Sequence, residues 1–122
     1  MRPLLIALAV AAIAAPVTAR ETGVPAATPS GKPIDCVRLN DIRETHVRSD
    51  QVIDFELRDR KILRNTLPYS CPSLGFEERF TYSVTNGELC AVDTITVLES
   101  AGGLSRGATC GLGNFQPVTL AK

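Results

Sequence analysis

From Ile34 onward the hydrophobic positions recur with a period close to two, the spacing of a strand with one buried face. In QVIDFEL (51–57), Ile53, Phe55 and Leu57 share one face, and Asp54 and Glu56 point the other way. KILRNTL (61–67) sets Leu63 and Leu67 against Ile62, Arg64 and Thr66, and the polar break Arg58-Asp59-Arg60 makes the two segments a hairpin. DIRETHV (41–47) predicts a further strand, although Glu44 falls in phase with Ile42, and Arg48-Ser49-Asp50 turns it into the next. PSLGFEE (72–78) has room for one helical turn, with Pro72 suited to its start and Gly75 set against any length. In FTYSVTNGELC (80–90), Phe80, Tyr82 and Val84 line a face, Asn86-Gly87 predicts a type I′ turn, and the chain returns through Leu89 and Cys90. DTITVLE (93–99) follows as a strand with Ile95 and Val97 in phase.

The five glycines of SAGGLSRGATCGLG (100–113) erase any side-chain period and predict a long flexible loop. NFQPVTL (114–120) closes the chain as a short strand. Pro117 cannot donate to a ladder, which places that strand at a sheet edge. Six or seven short strands without a long helix predict an all-β fold: a small antiparallel meander closing into a barrel or compact sandwich.

The first residues depart from this pattern. Arg2 is followed by an apolar run from Leu4 to Ala15, Pro16 breaks it, and Val17-Thr18-Ala19 supplies the small residues of a cleavage site. Residues 1–19 read as a signal peptide cut after Ala19. The run is shorter than the roughly 20 apolar residues a membrane-spanning helix needs. With no cysteine before Cys36, a lipid anchor at the cut is disfavoured. Residues 20–33, RETGVPAATPSGKP, lack apolar periodicity and read as a disordered leader, which leaves 34–122 as a single small β domain. The expected location is the periplasm.

Charge narrows the partners. The chain carries 13 basic and 13 acidic residues, and loss of Arg2 leaves 12 against 13, a net charge of −1. There is no basic excess for nucleic acid, and no second apolar stretch is long enough for a membrane span. The partner expected is an envelope protein or a small ligand.

The four cysteines, Cys36, Cys71, Cys90 and Cys110, lie 35, 19 and 20 positions apart. Zinc sites and redox motifs favour close pairs of the C-x-x-C kind, which are absent here. In an exported chain an even cysteine number predicts two structural disulfides. A domain this small buries only about 60–65% of its unfolded surface, so its core is marginal and such cross-links help. Three connectivities exist. The preferred one joins Cys71 to Cys90, clipping neighbouring strands, and Cys36 to Cys110, tying the start of the domain to its end.

A cysteine before the first strand, RNTLPYSCPSLGF after the hairpin, then LCAVDTITV and CGLGNFQPV form a spacing that resembles a family of small exported proteobacterial proteins, a domain of unknown function. The resemblance spans about residues 35 to 118. It implies export and a common four-cysteine framework, and it carries no activity and no functional residues.

Candidate chemistry is sparse. His46 is the only histidine, with Asp50 or Glu44 placed to orient it as an acid or base. No serine sits in G-x-S-x-G or S-x-x-K. Glu77 and Glu78 are adjacent, so their side chains diverge and make no glycosidase pair; a distant pair such as Glu56 with Asp93 is not decided by sequence. Ser105-Arg106-Gly107 lacks the G-K-[ST] ending of a phosphate loop. Arg58, Arg60, Lys61 and Arg64 crowd one hairpin, where Asp54, Glu56 and Asp59 predict cross-strand ion pairs. Tyr69, Phe76, Phe80 and Tyr82 make no aromatic platform, and Phe80 and Tyr82 are expected in the core. No catalytic, cofactor-binding or metal-binding residue is assigned. The reading favours a non-enzymatic binding or structural module, with a small hydrolase or hydrolase inhibitor as the alternative and a thiol-redox or metal role behind both.

Overall fold

A computed structural model describes residues 23–84 and 86–121, and the expected signal peptide, 1–19, lies outside them. The described chain forms ten strands. They are β1 (Ala27–Pro29), β2 (Cys36–Arg38), β3 (Ile42–Val47), β4 (Val52–Leu57), β5 (Ile62–Thr66), β6 (Phe80–Thr81), β7 (Glu88–Cys90), β8 (Thr94–Glu99), β9 (Ser105–Gly111) and β10 (Phe115–Leu120). One helical turn, α1 (Leu74–Glu77), follows β5. A five-stranded sheet runs in the order β1-β10-β5-β4-β3, β2 pairs with β7, and β6, β8 and β9 form a third sheet. Every pairing is antiparallel. The five-stranded sheet ends at β1 and β3, which do not pair with each other, so it does not close into a barrel.

The alternation read in the sequence sets the core. Ile53, Phe55 and Leu63 from the large sheet, Val37 and Leu89 from the small one, and Ile95 and Val97 from the third bury their side chains in one cluster with Leu74 of α1. Phe55 packs edge-on against Phe115 with ring centroids 5.3 Å apart, a contact worth about 0.5–1.5 kcal/mol beyond its buried area. Asn65 also faces this core and is fully buried. Its amide closes a two-way bridge to Gly113, donating to the carbonyl at 2.7 Å and accepting from the N–H at 2.8 Å. The bridge locks the entry to β10 against β5.

Several expectations are corrected. Part of the expected leader is ordered: Ala27–Pro29 form β1 on β10, a three-residue strand held by main-chain bonds that side-chain alternation does not reveal. β10 therefore lies between β1 and β5 and is not an edge. Phe115 exchanges both main-chain bonds with Ile34, so the N position of Pro117, two residues on, points the same way. There Ser30 donates to the Pro117 carbonyl at 2.9 Å and requires nothing of the missing N–H. The expected glycine-rich loop also contains a strand, β9, paired with β8. Gly107 and Ala108 fall where β9 shifts register against β8, between Thr109 opposite Thr96 and Arg106 opposite Leu98. The hairpin expected at 80–90 does not form: β6 pairs with β8, and β7 pairs with β2, burying Leu89 in the core.

The preferred disulfide pairing is overturned for the same topological reason. Cys36 bonds to Cys90 and Cys71 to Cys110. Cys90 stands directly opposite Cys36 in the β2–β7 ladder, while β9 carries Cys110 to the buried Cys71 beyond β5. No cysteine is free. Two disulfides fit an oxidising environment. Among the described residues no helix is long and apolar enough to cross a membrane.

Candidate functional site

The face of the large sheet turned away from the core collects its charges. Glu44 and His46 on β3 stand opposite Glu56 and Asp54 on β4, and Asp54 stands opposite Arg64 on β5. Asp54 is fully buried, covered by its own partners. Arg64 donates to it through Nε at 2.8 Å and Nη2 at 3.0 Å, and Arg48 through Nε at 3.0 Å. Donating hydrogen bonds to Asp54 raises the Arg64 pKa above an already high value, against the opposing effect of burial. The ion pairs expected across the hairpin are thus present, with Asp54 as their hub. Arg60 reaches Glu56 at 3.5 Å, and Lys61 reaches Asp59 at 3.8 Å.

His46 lies diagonally across from Glu56. Its Nε2 is 3.4 Å from Glu56 Oε2 and 3.8 Å from Glu44 Oε2. The expected partner Glu44 is in reach, whereas Asp50 is not engaged with the ring. Asp50 instead accepts the Gly75 N–H at 2.7 Å and, through its carbonyl, the Cys71 N–H at 2.7 Å. The hydrogen bond with His46 lowers the Glu56 pKa; partial burial opposes this, and Arg43 and Arg60 add to it. Arg43 sits at a β-bulge between Ile42 and Glu44 and reaches the other oxygen of Glu56, Oε1, at 3.5 Å. Glu56 as a partner of His46 is what the sequence reading missed. The signal was in the hairpin: a turn at 48–50 brings 44 opposite 56.

The other candidates are placed apart. Glu77 accepts hydrogen bonds from the N–H and Oγ of Ser100, and Asp93 accepts the Cys90 N–H at 2.7 Å, so Asp93 forms no pair with Glu56. Arg106 and Gly107 lie within β9. Phe80 and Tyr82 pack half-buried against the core, while Tyr69 and Phe76 are exposed. Cys36, Glu88 and Cys90 cluster in space, but the two sulfurs are bonded to each other and offer no thiolate.

A concave groove of about 780 Å³ opens where the β4–β5 turn meets β10 and the connection after β1. Ile34, Leu57, Ile62, Val118 and Leu120 give it an apolar lining, and Asp59, Arg60 and Lys61 line it from the turn. Arg60 has a φ of 72°, a left-handed conformation that favours glycine. It occupies that position with its side chain 72% exposed, and Lys61 beside it is 74% exposed. No family model, no curated protein and no solved structure matches this chain.

Proposed function

We propose that this chain is an exported, periplasmic, non-enzymatic binding module, a compact β domain stapled by two disulfides, whose ligand occupies the groove between the β4–β5 turn and β10. The groove carries the reading. Its volume of about 780 Å³ falls in the range of about 300–1,000 Å³ typical of ligand sites. An apolar lining beside Arg60, Lys61 and Asp59, which together carry one net positive charge, suits a molecule with an apolar body and an anionic end. Export rests on the signal-like residues 1–19 and agrees with the paired cysteines. The resemblance to small exported proteobacterial proteins points the same way.

Dodecyl phosphate, titrated into the oxidised protein below its micelle concentration, tests the reading. One saturable site, weakened about tenfold or more by both Ile62→Asp and Lys61→Glu, is expected. Absence of saturable binding overturns it. The alternative, a small hydrolase or inhibitor built on His46, has its observation in the His46–Glu56 contact. Among the described residues the His46 ring has no hydroxyl partner, whereas a hydrolytic nucleophile needs one within hydrogen-bond reach of its base. An ester and peptide activity screen of the wild type beside His46→Ala separates the two readings.

A further inference from the structure

We propose that Glu44, His46 and Glu56 form a surface site for a divalent transition-metal ion of the zinc class. This goes beyond ligand binding in the groove and does not depend on it.

The three side chains each direct one ligand atom into the same space, all within 4.8 Å of one another. His46 Nε2 lies 3.4 Å from Glu56 Oε2 and 3.8 Å from Glu44 Oε2. Ligands at about 2.0–2.2 Å from a tetrahedral zinc stand about 3.3 Å apart, so a small inward movement of two flexible glutamates completes the set. The backbone beneath them is fixed by the β3–β4 ladder, which sets Glu44 directly opposite Glu56. Like charges in directly opposed positions destabilise a sheet, and a cation between them removes that cost. Among the described residues, Glu44 has no ion pair other than its contact with His46.

The surroundings orient one ligand. Arg43 and Arg60 each hold Oε1 of Glu56 at 3.5 Å, leaving Oε2 directed at the imidazole. This is the arrangement in which an outer hydrogen bond orients a metal-binding carboxylate. Three protein ligands with water in the remaining position make an open site and not a closed structural one, and the two guanidinium groups nearby lower its affinity for a cation. Asp54, opposite His46, is excluded from the set because both its oxygens are taken by Arg48 and Arg64. An imidazole with two carboxylates suits zinc, copper and nickel ions over magnesium and calcium.

The test uses untagged, oxidised protein titrated with zinc chloride, by calorimetry and by 15N NMR of the imidazole. His46 is the only histidine, so its ring resonances are unambiguous. The expected result is one zinc per chain with a shift of the His46 Nε2 resonance. His46→Asn and Glu44→Gln should each weaken binding about tenfold or more, and Glu78→Gln should leave it unchanged. Both test positions lie on a solvent-facing edge strand, and a thermal melt of each variant verifies folding. No saturation at millimolar zinc, equal binding of magnesium, or full affinity in His46→Asn would each overturn the proposal.

Discussion

Cys36 and Cys90 face each other across the β2–β7 ladder with their Cα atoms 4.0 Å apart. The flanking residues exchange the main-chain bonds: Ala91 donates to Asp35 at 2.7 Å and Leu39 to Gly87 at 2.9 Å. The cysteines therefore occupy a non-hydrogen-bonded pair, where opposed side chains come closest. Each strand of this sheet has only three residues. A two-stranded ribbon so short is not stable by itself, and the bond fastens it.

Removing either staple should be severe. The bonds close 54 and 39 residues of chain, and the chain-entropy picture assigns about 4 kcal/mol to each. A domain with about 5–15 kcal/mol in total does not survive the loss of both. Urea titrations of Cys36→Ser/Cys90→Ser and Cys71→Ser/Cys110→Ser should each show a drop of that size, and the fourfold variant should be unfolded.

Gly113 should tolerate no side chain. A Cβ there would sit 2.2 Å from the Thr66 carbonyl oxygen, backbone that cannot step aside. Gly113→Ala should cost more than about 3 kcal/mol. Asn65→Ala, which leaves the two peptide groups of Gly113 without their partner, should cost about 2 kcal/mol. Thermal unfolding of the two variants ranks them.

The elements legible in the sequence are those whose inner face is apolar and whose outer face is charged. Ile53 and Phe55, Leu63, and Ile95 and Val97 are the buried positions that alternation marked, and β4, β5 and β8 follow from them. β1 and β9 have no such face. Ala27–Pro29 and Ser105–Gly111 are held by backbone ladders, which leave no side-chain period, so their sequences read as leader and loop. Asn86-Gly87 is a local turn signal, but β7 pairs with β2 and buries Leu89 in the shared core, so long-range pairing takes the place of the hairpin. The cysteine connectivity depends on that same pairing. Of the site, His46 and Glu44 were visible, while Glu56 needed the strand register and the groove needed the meeting of β10 with the β4–β5 turn.

Asp54 should be the most sensitive charged residue. Asp54→Ala strands Arg48 and Arg64 and should cost about 3–5 kcal/mol. Replacing all three together, Asp54→Leu with Arg48→Met and Arg64→Met, should recover most of that loss, because the desolvation penalty of the ions disappears with them. Urea titrations of the single and the triple variant measure both effects.

Acid should weaken the β3–β4 edge. Glu56 has a folded-state pKa below its ordinary 4.5, so its hydrogen bond with His46 and its ion pairs with Arg43 and Arg60 stabilise the fold above that value. The contribution falls away as pH drops through the lower folded value, since the unfolded chain then binds the proton more readily. Stability measured from pH 6 down to pH 3 should decline less steeply in Glu56→Gln than in the wild type.

Trypsin separates all four cysteines, into peptides 21–38, 65–79, 80–106 and 107–122. A tryptic map of the folded protein, digested without reduction, therefore reports the connectivity directly. The fold described here predicts 21–38 joined to 80–106, and 65–79 joined to 107–122, with no free thiol. Any other pairing, or four alkylatable cysteines in folded protein, contradicts it.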